Sequence, residues 1–360
     1  MKEFSCSTRI VSGPGAVEAL KNMGARKLLL VTDPYFAKNG TADRIAVIAG
    51  AEETEIFDKV TPDPSVTLAA EGTARVRAFD PDMIVALGGG SAMDCAKAMV
   101  YFSGCKARLV AIPTTSGSGS EVTDFAILTH NSIKHPLVDQ RLRPEAAILD
   151  DGLLKELPPS LVADAGFDVL AHAVEAYVGT NAGAVTDALA RDAFCAAFAA
   201  LPASFNGCTD VRLRIHTAAT MAGMAFTQAG LGLCHAMSHC LGGLYHVPHG
   251  RLNAILLPSV IDCNAYAAGG KYANLARSAG LGGSADVIAI RNLKNGLVRL
   301  RKELKLPATL AQAGVEPRLV WHDMDNIVAA TLADPCCETN PVQVEDFMVR
   351  KILEEVTGRV

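Results

Sequence analysis

The sequence predicts an α/β N-terminal domain, a parallel sheet with helices on both faces, followed by an all-α C-terminal domain. Three observations carry this. Short apolar runs alternate with helix-period segments from Lys27 to Leu149. After Leu157-Pro158-Pro159 the pattern changes to Ala, Leu and Met at helical spacing. The length, 360 residues, is more than one ordinary core fills. We place the boundary at Pro158, giving domains 1–158 and 159–360.

Each element has a local signature. Lys27 to Thr32 (KLLLVT) is a buried strand that stops at Asp33-Pro34, and Thr54 to Val60 is a second strand. Val66 to Phe79 has helical spacing. Met83 to Leu87 is a strand running straight into Gly88-Gly89-Gly90-Ser91, and Ala92 to Phe102 is the helix beyond it. Leu109 to Pro113 and Ala146 to Leu149 complete the strands. In the second domain Ser160 is a candidate N-cap for a helix from Leu161 past Val178, and Asp187 to Leu201 forms another. No internal repeat or low-complexity segment interrupts the chain.

Composition narrows the function classes. Half of the residues are hydrophobic, a fifth are charged, and the net charge is -5. There is no Lys/Arg cluster of the kind a nucleic-acid binder carries; the basic residues around Arg299 and Lys305 alternate with Leu as the solvated face of a helix. No transmembrane run or signal-peptide core is evident, so neither nucleic acid nor membrane is an expected partner, and the cytoplasm is the expected compartment. The ten cysteines contain no CxxC pair, and most are expected to be small buried hydrophobes.

Two motifs carry chemistry. Gly88-Gly89-Gly90-Ser91 lies between a strand and a helix, where glycines admit a close ligand and the helix N-terminus favours a pyrophosphate. Ser91 is able to cap that helix and to donate to phosphate. No GxGxxG follows the first strand, so this is not the usual dinucleotide fingerprint. Gly117-Ser118-Gly119-Ser120 is a second small-residue loop. Asp33, just past the first strand, suits adenine-ribose hydroxyls and repels a 2′-phosphate; an Asp-Pro turn is the plainer reading.

The second motif is a metal-ligand pattern. Asp168 and His172 are four residues apart on one helix face, as are His235 and His239, and His249 follows in VPHG. One carboxylate with several imidazoles suits Fe2+ or Zn2+. His246 reads as an ordinary polar residue.

Five segments in order, GGGSAMDCAK, IPTTSGSGSEVT, GFDVLAHAVEAYV, CHAMSHCLGGLYHVPHG and CETNP, resemble the iron-containing (group III) alcohol dehydrogenases over nearly the whole chain. The resemblance implies metal ligands at Asp168, His172, His235 and His249, with His239 as a catalytic residue beside the nicotinamide. It implies cofactor contacts from Gly89, Gly90, Ser91, Asp94, Thr114, Thr115, Ser118 and Lys134, and makes Asp33 the residue that favours NAD over NADP. The implied activity is hydride transfer between NAD(H) and a small primary alcohol or aldehyde. Fe2+ is the expected ion and Zn2+ the alternative, in a homodimer or larger homo-oligomer. The resemblance also offers the lumen of a bacterial microcompartment as a second location. Competing readings are a glycerol-dehydrogenase-like or dehydroquinate-synthase-like enzyme, or a binding relative without turnover. The chain is shorter than many members, and the cysteines near the site (Cys234, Cys240, Cys336, Cys337) have no counterpart in this reasoning.

Overall fold

The computed structural model describes residues 2–130 and 133–358. Two compact units divide the chain: residues 6–157, and residues 158–360 together with those up to Ser5.

The first unit is built on β1 (Arg9–Ser12), β2 (Lys27–Val31), β3 (Glu53–Phe57), β4 (Met83–Gly88), β5 (Arg108–Pro113) and β8 (Ala146–Leu149). These form one sheet in the order β1-β8-β5-β4-β2-β3, with every pairing parallel. The central strands are apolar throughout because both faces are covered. Leu28, Leu30, Met83, Val85, Leu87, Val110 and Ile112 face one side, packing on the turn at Ala16–Asn22 and on helix α2 (Thr41–Ala49), which follows the short helix α1 (Pro34–Lys38). The alternate residues Leu29, Val31, Ile84, Ala86, Leu109 and Ala111 face the other side, onto α3 (Val66–Phe79) and α4 (Gly90–Ser103).

Strand order reverses between β2 and β4, because β2 leads to β3 on one side and β4 lies on the other. An open parallel sheet forms its ligand crevice at such a switch point, beyond the strand C-termini. Asp33 and Gly88 stand at those two ends.

Two strands escape the sequence reading besides edge strand β1. They are β6 (Phe125–His130) and β7 (Ile133–Val138), an antiparallel pair in which Ile127 opposes Pro136. A proline inside a run argues against a central strand, and here the ribbon has only edges. Strand β1 is four residues long and mostly exposed, so no apolar run announces it.

The second unit is helical: α5 (Pro159–Val178), α6 (Ala184–Phe205), α7 (Arg212–Ala229), α8 (Leu233–Tyr245), α9 (His249–Ser278), α10 (Asp286–Glu303), α11 (Pro317–His322), α12 (Met324–Leu332) and α13 (Asp346–Val356). Three sequence expectations need correction. Ser160 does not cap α5; the helix begins two residues earlier than expected, with Pro159 at its first position and Pro158 as N-cap. Helix α6 is long and apolar enough to cross a membrane by length and composition. It packs its buried Ala190, Ala193, Phe194, Ala197 and Leu201 in this unit, as a core helix does. Of the ten cysteines, all free, only Cys95 and Cys234 are buried; six are half-buried and two exposed.

Lys97 on α4 is fully buried in the first unit. Its ammonium donates to Ser120 Oγ (3.1 Å), Thr123 Oγ1 (2.8 Å), the Thr123 carbonyl (3.0 Å) and the Phe125 carbonyl (2.8 Å). Burial lowers its pKa to about 8, although Asp94 nearby favours the charged form. The same burial raises Asp94, whose Oδ1 accepts from Ser120 Oγ at 2.9 Å. We expect Lys97→Met to destabilise the protein by on the order of 3 kcal/mol, because it strands a buried carboxylate. Adding Asp94→Asn should recover much of that loss in urea unfolding; an additive double variant would dismiss the pairing.

Candidate functional site

In the α/β unit, β4 ends at Gly88, whose φ of 150° is a backbone region for glycine. A Cβ on Gly88 would sit 2.7 Å from Ala92 Cβ and 3.7 Å from Asp33 Oδ2. Helix α4 then starts at Gly90 with Gly89 as N-cap and no side-chain cap. Ser91 therefore lies within the first turn instead of capping it. The Ala92 and Met93 N–H groups both donate to the Gly89 carbonyl (3.1 and 3.2 Å), and the turn they close is the helix end that offers N–H groups to an anion. Gly89 and Gly90 face the second loop: ideal Cβ atoms there would lie 3.1 Å from Thr115 Oγ1 and 3.2 Å from Ser118 Oγ. Thr114 is buried and its N–H donates to the Gly88 carbonyl at 2.9 Å. Two loops remote in sequence thus make one cradle at the switch point.

Asp33 takes the plainer of the two readings offered for it, as a helix cap. Its Oδ1 accepts from the N–H groups of Tyr35 (2.9 Å) and Phe36 (3.2 Å), capping α1, while Oδ2 faces Gly88. Two other expected contacts are engaged elsewhere. Asp94 binds Ser120 behind the loop, and Lys134 on β7 pairs with Asp63 at 2.7 Å.

In the helical unit, Asp168 and His172 lie one turn apart on α5, His235 and His239 one turn apart on α8, and His249 opens α9. Donor atoms of Asp168, His235 and His249 all lie within 4.8 Å of one another. Asp168 Oδ1 is 3.9 Å from His235 Nε2 and 3.6 Å from His249 Nε2. These separations are too long for hydrogen bonds. They approach the ~3.4 Å edge of a tetrahedron with metal–ligand bonds of about 2.1 Å. The donor set therefore fits a divalent ion. His172 is brought to the same place without joining that trio: its ring stacks on His235 at 4.5 Å and on Phe226 at 4.5 Å.

Residues absent from the sequence reading organise the trio. Glu175, buried on α5, accepts from the backbone N–H groups of Gly232 (2.9 Å), Cys234 (2.7 Å) and His235 (3.3 Å). It also binds His235 Nδ1 at 2.6 Å. Burial pushes Glu175 up to about 7 against the pull of those amides, and burial holds His235 well below the usual imidazole value. A neutral His235 donating its Nδ1–H as a hydrogen bond to Glu175 turns the Nε2 lone pair toward Asp168 and His249, the arrangement metal-bound histidines use. Asn253 on α9 donates to Asp168 Oδ1 at 2.8 Å and accepts from Ser238 Oγ at 2.6 Å. Glu175 had a signal: it is seven residues past Asp168, on the face Asp168 shares with His172. Asn253 had none short of the fold.

His239 is held differently. Its Nδ1 lies 2.9 Å from Asp334 Oδ2, and its ring stacks on His249 at 5.2 Å. Asp334 is kept charged: burial raises it, but hydrogen bonds from His239 and from Cys336 outweigh that and lower it. The nearby cysteines now have local accounts. Cys234 Sγ donates to Asn253 Oδ1 (3.5 Å), Cys240 to the Ile327 carbonyl (3.8 Å) and Cys337 to the Thr331 carbonyl (3.1 Å). His246 is the exposed C-cap of α8, in keeping with a plain polar role.

Each of the two units has relatives. Residues 7–151 match the family described as iron-containing alcohol dehydrogenase, and residues 162–357 match the Fe-containing alcohol dehydrogenase family, C-terminal. The chain belongs to the iron-containing alcohol dehydrogenase family. It is similar to the 1-propanol dehydrogenase PduQ of Citrobacter freundii, 39% identical over 99% of this chain and 100% of the relative. It is 35% identical to the NADPH-dependent butanol dehydrogenase of Clostridium saccharobutylicum, over 98% of this chain and 97% of that one. Among solved structures, a 1,3-propanediol oxidoreductase superposes with a TM-score of 0.92 at 32% identity, covering 98% of this chain and 99% of its own. The chain is accordingly a metal-dependent alcohol dehydrogenase by class, in a family that uses a nicotinamide cofactor and typically iron.

Two substitutions test the trio. Glu175→Gln should lower metal affinity 10–100-fold, as loss of such an outer partner does, and should also lower the melting temperature, because the amide nitrogen of Gln cannot accept from the N–H groups at the start of α8. Gly250 follows His249, and a Cβ there would lie 1.9 Å from the Asp164 carbonyl oxygen and 3.3 Å from Asp168 Cβ. Gly250→Ala gains about 1 kcal/mol of helix propensity. The overpacking of α9 on α5, on the order of 1–3 kcal/mol, should exceed that gain. Lower melting temperature and lower metal stoichiometry are the expected results; unchanged metal content would show that α9 tolerates the shift.

Proposed function

We propose that this chain is an NAD(H)-linked dehydrogenase of short primary alcohols, with 1-propanol and its aldehyde as the substrate pair to try first. The observation that carries the metal dependence is the Asp168–His235–His249 donor group, oriented through Glu175 and Asn253. The substrate class rests on the full-length similarity to enzymes named for propanol and butanol.

In this reading Asp168, His172, His235 and His249 hold the ion, with iron favoured and zinc the alternative. A divalent ion there supplies Lewis-acid polarisation of the alcohol or aldehyde oxygen, and the nicotinamide carries the hydride. The protein's own residues do the rest. Glu175 fixes the His235 tautomer, and Asn253 fixes the Asp168 carboxylate. Asp334 accepts a hydrogen bond from His239 Nδ1, leaving Nε2 as the atom that takes up or releases the substrate proton. The Gly89–Gly90–Ser91 turn, with Thr114, Thr115 and Ser118 beside it, holds the pyrophosphate, and Asp33 Oδ2 faces the ribose side.

Iron-loaded protein should oxidise NADH with propionaldehyde and lose that activity on chelation; His249→Ala should lower bound metal and turnover together. Preference for glycerol over short alcohols, or full activity after chelation, would sink the reading. Asp33→Gly should raise use of NADP relative to NAD by about tenfold, equivalent to about 1.4 kcal/mol of relieved repulsion. Gly retains most N-cap stability, so a fold defect is not the expected cause. An unchanged cofactor ratio would remove Asp33 from that role.

A further inference from the structure

A second group of donors lies beside the first. His239, Asp334 and Cys336 each offer an atom, and these atoms all lie within 4.8 Å of one another. They come from two elements: His239 from α8, and Asp334 and Cys336 from the turn at Pro335–Thr339 that Asp334 caps by accepting from the Cys336 N–H at 2.8 Å. The Asp334 carboxylate therefore sits between an imidazole and a thiol, bonded to His239 Nδ1 at 2.9 Å. We propose that His239, Asp334 and Cys336 form a second metal site, selective for thiophilic divalent ions such as Zn2+ and Cd2+, whose occupation inhibits the enzyme.

The ligand chemistry supports the selectivity. The Asp168–His235–His249 trio offers only nitrogen and oxygen, which accept iron and zinc alike. The second group adds sulfur, and a thiolate favours zinc and cadmium over iron. Its formal charge suits a dication: a thiolate and a carboxylate neutralise the ion, a neutral imidazole adds a third donor, and water is able to complete a four-coordinate shell. Capture is a proton exchange. The ion takes the place of the thiol proton, which leaves to solvent, and a new metal–sulfur bond replaces the S–H bond. No oxidant is needed. Partial burial, with the Asp334 carboxylate beside it, raises the half-buried Cys336 thiol well above its ordinary value, so an ion strong enough to displace that proton is required.

The neighbouring Cys337 is an internal control. Its Sγ donates to the Thr331 carbonyl at 3.1 Å, whereas the Cys336 thiol engages Asp334. Inhibition follows because the site consumes His239, whose ring stacks on His249. That part of the inference rests on the proton-carrying role given to His239; the binding part does not.

The test is a titration of the iron-loaded protein with Cd2+, without oxygen or added thiols, followed by thiolate-to-cadmium absorption in the ultraviolet. The trio of the main site contains no sulfur and contributes nothing to that band. The expected result is a band that saturates at one equivalent in the parent and in Cys337→Ala, and is lost in Cys336→Ala. Asp334→Asn should weaken it. Absence of the band from the parent, or its persistence in Cys336→Ala, would overturn the site. Zn2+ should inhibit the parent and spare Cys336→Ser, whose similar size guards against misfolding; equal inhibition of both would overturn the inhibitory role. If the protein turned over no alcohol at all, the absorption titration would still report on the site.

Discussion

The helical unit depends on one buried carboxylate. Glu175 binds three amides at the start of α8 and the ring of His235 in a single grip. A charge-assisted hydrogen bond is worth roughly 1.5–3 kcal/mol, yet burial still pushes the group up to about 7. From an ordinary 4.5, that is on the order of 3 kcal/mol against the charged form. Desolvation therefore wins over the amides in the protein alone. A cation held by Asp168, His235 and His249 would favour the charged form of Glu175 through the His235 ring that it binds.

Around that grip the geometry leaves little freedom. Phe226, His172 and His235 stack in sequence, so two of the imidazoles cannot rotate independently. Helix α9 reaches α5 because Gly250 has no side chain to hold it off. Asn253, three residues further into α9, ties Asp168 to the α8 residue Ser238. Three helices thus share one set of polar contacts in an otherwise apolar interior, where an unpaired member would be costly.

Much of this was legible in the sequence. Alternation placed β2, β4, β5 and β8, and the glycine run placed the cradle, because a buried strand leading into glycines leaves few other structures. Spacing placed Asp168 with His172 and His235 with His239, since a helix face is a short-range property. What escaped was non-local. Lys97 reads as an ordinary helix lysine until the loop from Ser120 to Phe125 folds over it. Asn253 stands in a stretch of leucines with nothing to mark it. Cys336 acquires a role only where α8 and a distant turn meet. The capping error at Ser160 was local, and shows a proline outcompeting a hydroxyl for the start of a helix.

The turn after α12 reaches back to the start of α8: Asn340 Oδ1 accepts from the Leu233 N–H, and Thr339 Oγ1 donates to the Leu231 carbonyl. All four proposed metal ligands lie far upstream of it. During synthesis, which delivers the chain from its N-terminus, the α/β unit and every ligand emerge before this clasp exists. A chain without this turn would carry every ligand residue and still lack the contacts that hold the start of α8.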